Sequence, residues 1–112
     1  MELIRNIEKS RAQSLKELVE YESGRIVSLT LAKQPGVGMT LFAFDEGEML
    51  STHTAPGDAM VYVLDGSVEI TVDGVKSILK EGDTIVMPCG IPHSLKSITP
   101  FKMLLTVVFP PK

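Results

Sequence analysis

The sequence predicts an all-β protein, an antiparallel sandwich or barrel preceded by a short N-terminal helix. From Arg25 onward, apolar and polar residues alternate with a period of two in short runs. Glycine, proline and aspartate clusters separate those runs at even spacing, and Asp73-Gly74 is the strongest short hairpin signal among them.

Residues 1–24 have a different texture and form a separate N-terminal segment. Ile4, Ile7, Leu15, Leu18 and Val19 are spaced among charged residues. Ser14 followed by Glu17 has the form of a capping box, and Gly24 is a stop, so the segment predicts a helix over Leu15 to Tyr21 that covers one end of a barrel. Residues 25–112 then read as one barrel domain. Val27, Leu29 and Leu31 share one strand face, while Ile26, Ser28, Thr30 and Ala32 share the other, until Gln34-Pro35-Gly36 breaks the run. Met39 to Phe44 is apolar on both faces, so its outer surface needs cover. After the acidic turn Asp45 to Glu48, Ser51 to Ala55 reads as a short extended piece, Pro56-Gly57-Asp58 as a turn and Ala59 to Leu64 as a strand. Val68, Ile70 and Val72 oppose Glu69 and Thr71. The hairpin returns through Val75 to Leu79, and the strands Thr84 to Met87 and Lys102 to Phe109 follow.

The chain has 112 residues, enough for one hydrophobic core. Hydrophobic residues at 44% and charged residues at 22% place it among ordinary globular chains. No apolar run approaches the roughly 20 residues that span a bilayer. The opening MELIRNIEKSR lacks the apolar block of a secretory signal, so the expected compartment is the cytoplasm. Its one cysteine, Cys89, permits no internal disulfide. A net charge of −3, with Lys and Arg scattered singly, argues against nucleic-acid and membrane partners. The strands AMVYVL and MLLTVVF are apolar on both faces, which favours a homodimer; the alternative is a monomer with the N-terminal segment folded over its own barrel.

Two punctuated stretches carry the histidines. Gly47, His53 and Gly66 frame the first, and Gly82, Pro88, Gly90 and His93 the second. In spacing these stretches resemble the paired motifs of the cupin superfamily. Ala55 stands where that family has its second histidine, Ala59 where it has glutamate, and Ser97 where the second motif ends in asparagine. The resemblance implies an antiparallel double-stranded β-barrel, or jelly roll, with His53 and His93 as metal ligands. It also implies an oxygenase, isomerase, decarboxylase or related activity on a small molecule.

The residues themselves support a narrower statement. If His53 points inward, strand alternation turns Ala55, Ala59, Val61 and Val63 inward with it, and these would line a ligand pocket. Two imidazoles suit one divalent ion, zinc, iron, nickel or manganese, but catalytic sites usually supply three protein ligands, so an ion here would be weakly held. Candidates for an extra ligand are Asp58 and Cys89, then Glu48 and Asp45. Regular pleating turns Asp58 outward unless a bulge at Pro56-Gly57 brings it back. Without a metal, the histidines would act as general acid and base or as polar contacts to a ligand, or simply be satisfied hydrogen-bonding residues. Cys89 reads as a space-filler or a nucleophile, the methionines as core, and Tyr62 as an outward residue. Three functions remain open: a metal-dependent enzyme, a metal-free small-ligand binder, and a regulatory barrel without catalysis.

Overall fold

The computed structural model describes residues 1–111; Lys112, the last position of the expected barrel domain, lies outside the described residues. The strands are β1 Ile26–Lys33, β2 Val37–Phe44, β3 Met49–His53, β4 Asp58–Asp65, β5 Ser67–Val72, β6 Val75–Lys80, β7 Thr84–Met87, β8 His93–Ser97 and β9 Phe101–Val108. They form a five-stranded sheet in the order β1-β2-β9-β4-β7 and a four-stranded sheet in the order β3-β8-β5-β6. Every pairing is antiparallel. The architecture is the all-β jelly roll that the alternation and the motif spacing predict. Among the described residues no helix is long and apolar enough to cross a membrane.

Alternation explains where each strand points. In β4 the odd residues Ala59, Val61 and Val63 are buried and Met60 and Tyr62 are exposed. Facing them from the other sheet are Val68, Ile70 and Leu95, and Phe44 and Phe101 fill the middle with ring centroids 4.6 Å apart. This apolar filling between the sheets is the main core.

The N-terminal segment departs from its prediction twice. Instead of a helix from Leu15 to Tyr21 there is one 3-10 turn, Leu15–Leu18. The Ser14 side chain makes no capping bond, and only its carbonyl accepts from the Glu17 N–H at 3.2 Å. Val19 turns extended, with φ −129° and ψ 146°, and is buried. Burying that one side chain outweighs the few backbone bonds that a longer helix would add. The segment also lies elsewhere than expected: it runs over the outer face of the five-stranded sheet rather than across a barrel end. There Ile7, Leu15, Leu18, Val19 and Tyr21 pack on Leu31, Leu41 and Ala43 in a second apolar cluster. That cluster is why β2 is apolar on both faces.

Polar contacts pin the strap at both ends. The Arg5 N–H donates to Leu31 O at 2.7 Å, and Asn6 Nδ2 donates to Thr30 O at 2.7 Å, so the open edge of β1 is partly paired. At the other end Tyr21 Oη donates to Asp65 Oδ2 at 2.6 Å. Burial, reinforced by that carboxylate, raises the Tyr21 phenol well above its ordinary value. Lys102 Nζ lies 4.9 Å over the Tyr21 ring and donates to Lys16 O at 2.6 Å.

β8 is a strand that periodicity does not reveal. Its inward positions are His93, Leu95 and Ser97, only one of them apolar, although all three are buried. Two glycines hold the chain where a side chain would not fit. At Gly57 an added Cβ would collide with the Val108 carbonyl, and at Gly66, where φ is +73°, with the Pro100 carbonyl. Gly74 also has a positive φ, +79°, but nothing lies within 4 Å. Gly66→Ala is therefore expected to cost at least about 2 kcal/mol and Gly74→Ala only about 1 kcal/mol. Urea unfolding of the two variants beside the wild type checks the difference.

Candidate functional site

The site is made by a register shift. β3 and β8 pair Met49 with Lys96 and Leu50 with Leu95, but the next pair is His53 with His93. β3 therefore holds one extra residue between Leu50 and His53, a bulge. Without it, alternation from Leu50 would put His53 on the face opposite His93. With it, the two imidazoles face each other across neighbouring strands. The bulge falls at Ser51-Thr52 and not at Pro56-Gly57, where it would have been needed to turn Asp58 inward.

The rings meet edge to face, with centroids 4.4 Å apart and an angle of 72° between planes. Their Nε2 atoms are 3.1 Å apart. His53 Nδ1 lies 2.7 Å from Ser51 O, and His93 Nδ1 lies 3.1 Å from Ile91 O. A carbonyl only accepts, so each Nδ1 carries its ring's hydrogen, and in the neutral rings both Nε2 lone pairs point at each other. Two lone pairs at that distance repel. A proton or a metal ion shared between them removes the repulsion.

The rings differ in exposure. His93 is only 3% exposed, whereas His53 is open to solvent. Burial lowers the His93 pKa below its ordinary value; the Ile91 carbonyl opposes the shift, and the neighbouring His53 adds to it.

The other expected residues are placed as follows. Ala55 is half-buried near the pair, while Ala59, Val61 and Val63 are 2%, 0% and 0% exposed within the main core. The Val61 and Val63 side chains pack in the core between the sheets and do not line a space shared with the two imidazoles. Asp58 is exposed, and its Oδ1 accepts the Cys89 N–H at 2.8 Å. A second stitch beside it, Gly90 N–H to Ala55 O at 3.0 Å, joins the same two loops. Asp58 and Cys89 thus hold the loops that carry the histidines. Asp45 and Glu48 belong to the far end of the β3–β8 ladder. The Asp45 carboxylate accepts the Gly24 and Glu46 N–H groups, which hold its pKa below the usual range, the Gly24 bond contributing most. Ser97 Oγ donates to Asp45 O at 2.6 Å and ties down that end.

Among the described residues no group of three or more His, Cys, Asp or Glu side chains is placed to hold a metal ion. The two Nε2 atoms are close enough for both to reach one ion at about 2.0–2.1 Å, the usual zinc–imidazole distance. The donor set therefore fits an ion held by His53 and His93 with its remaining positions open. It does not fit a site closed by three protein ligands. Sequence reasoning missed the Ser51 and Ile91 carbonyls and the Asp58 stitch; an aspartate directly after a Pro-Gly turn was the one available sign of the stitch.

Because the folded-state pKa of His93 lies below the unfolded value of about 6.5, the unfolded chain binds more protons between those two values. Its contribution to stability is present above pH 6.5 and is lost as pH falls through that window. Denaturant unfolding from pH 7.5 to pH 5 is expected to show wild-type stability falling more steeply than that of His93→Asn. Parallel slopes would show that His93 does not titrate this way.

Residues 40–109 match the family described as Cupin domain. Over its whole length the chain is similar to a conserved protein of unknown function from Streptococcus pyogenes, with 43% identity over 100% of this chain and 98% of that one, and a TM-score of 0.96. A cupin superfamily protein from Desulfitobacterium hafniense is 29% identical over 96% of this chain and 98% of its own, with a TM-score of 0.91. A Cupin 2 conserved barrel domain protein from Leptotrichia buccalis is 47% identical over 84% of this chain but only 46% of its own, with a TM-score of 0.82. The family match covers more than half of the sequence, and the chain belongs to the cupin family.

Proposed function

We propose that this cupin binds a small molecule at the mouth of its barrel and that His53 and His93 are the polar contacts. The observation that carries the reading is the meeting of the two Nε2 atoms at 3.1 Å, with both rings fixed through Nδ1 to backbone carbonyls. Ring orientation is thus paid for by the fold and not by the ligand. His53 stands at the solvent side and His93 at the protein side, so a ligand reaching the pair passes from water to hydrocarbon. Ala55 and Val72, the cross-strand neighbour of His93, supply apolar surface beside it. Since the core behind the pair is filled, the ligand is small or presents only a narrow tip.

A second reading is favoured by the same lone pairs: a metal-dependent enzyme in which His53 and His93 hold one divalent ion, zinc, iron, nickel or manganese. A bound ion of this kind would act as a Lewis acid toward a ligand oxygen. The chain's own residues would orient it through two neutral nitrogens and keep water from its protein side. With only two protein ligands the ion would be weakly held and easily lost on dialysis. Without an ion, the pair is left as a binding or regulatory site.

Calorimetric titration with Zn2+ and Ni2+, together with mass spectrometry of small molecules retained after gentle purification, separates these readings. The expected outcome is a retained or screened small ligand whose affinity falls at least about tenfold, or about 1.4 kcal/mol, in both His53→Ala and His93→Ala. Any metal binding is expected to be weak and to vanish in the same variants. Ligand or metal binding that survives in the double variant would place the site elsewhere.

A further inference from the structure

Toward a ligand the two imidazoles are acceptors only. Each Nδ1 hydrogen is committed to a backbone carbonyl, Ser51 O at 2.7 Å for His53 and Ile91 O at 3.1 Å for His93, so neither neutral ring has a hydrogen left to donate. Both carbonyls lie two residues before their histidine, so the chain's own local path sets the orientation and the ligand does not. The free lone pairs sit on two Nε2 atoms 3.1 Å apart, close enough for one ligand atom to reach both.

No basic side chain on the surrounding strands reverses that preference. β3 and β5 carry no lysine or arginine. The one on β8, Lys96, is exposed between the buried Leu95 and Ser97 and therefore points to the face opposite His93. A carboxylate, phosphate or carbonyl oxygen would bring further lone pairs against two that already repel. A hydroxyl brings one hydrogen to two acceptors. A protonated primary amine brings three hydrogens on one compact atom and has no lone pair of its own.

We propose, building on the small-ligand reading above, that the ligand is a primary alkylammonium whose nitrogen donates to Nε2 of both His53 and His93. Two of its N–H groups satisfy the pair, and the third stays in water on the exposed His53 side. Its first carbons lie against Ala55 and Val72. A single charged nitrogen on an alkyl chain is also the narrow tip that the filled core behind the pair requires. Selectivity comes from repulsion, because the same two lone pairs turn away anions and carbonyl compounds.

Titration of histidine-labelled protein at pH 8 with propylammonium chloride, 1-propanol and sodium butyrate, followed by the Nε2 signals, tests the proposal. The three probes share a propyl chain and differ in the head group. The buffer is first freed of metal on a chelating resin, because an ion on the Nε2 atoms would take up the same lone pairs. Propylammonium is expected to move both signals together to saturation, at least about tenfold more tightly than propanol, and butyrate to move neither. His53→Ala and His93→Asn should each weaken propylammonium at least about tenfold, read by calorimetry. Because His53 is exposed, its variant keeps the test decisive if His93→Asn does not fold. Nε2 signals that ignore propylammonium up to about 0.1 M, or that respond to butyrate as strongly, overturn the alkylammonium assignment and leave the small-ligand reading standing. Propylammonium affinity unchanged in folded His53→Ala overturns both.

Discussion

The pairing of β3 with β8 is the constraint on which the rest of the site depends. One extra residue in β3 decides whether His53 faces His93 or looks away from it. The bulge is held from both sides. Below it Ser97 ties β8 to the Asp45–Glu48 turn through its main chain and its hydroxyl. Above it the Asp58 carboxylate and the Ala55 carbonyl bind the N–H groups of Cys89 and Gly90. The site is thus assembled from backbone bonds between loops, which set an exposed imidazole, His53, against a buried one, His93. Positions where related motifs place further ligands are occupied here by alanines, one of them buried in the core.

Two layers of apolar packing then divide the labour. The cluster between the sheets fixes the barrel, and the cluster under the strap covers the β1–β2 half of its outer face. A strap attached by a few long-range contacts, Tyr21 to Asp65 and Lys102 to Lys16 among them, adds cover without a second domain. Its limited reach leaves Met60, Tyr62 and Val86 on the β4–β7 half partly exposed.

Most of the barrel was legible in the sequence because its strands obey simple alternation between strong turn signals. β4, β5 and β6 are the clearest, with Asp73-Gly74 closing the hairpin between the last two. β8 was not legible, since an inward His and an inward Ser erase the apolar period that reveals a strand. The helix read from Ser14 and Glu17 failed for a related reason: a local capping signal says nothing about Val19, whose burial in the second cluster ends the turn. At the site, motif spacing singled out the two histidines. It could not show the atoms through which they meet, because Ser51-Thr52 contains no glycine or proline to announce a bulge. The extra ligands sought among Asp58, Cys89, Glu48 and Asp45 illustrate the same limit, for a carboxylate's hydrogen-bond partners are set by loops distant in the chain.

The central claim is that His53 and His93 present two unprotonated Nε2 atoms to one point. Long-range nitrogen–proton correlation spectra of histidine-labelled protein at pH 8 test it most directly. The account predicts that both neutral rings carry their hydrogen on Nδ1, and that the two Nε2 signals shift together on addition of acid or Zn2+. A hydrogen on Nε2 of either ring at that pH, or two rings that respond independently, would contradict it.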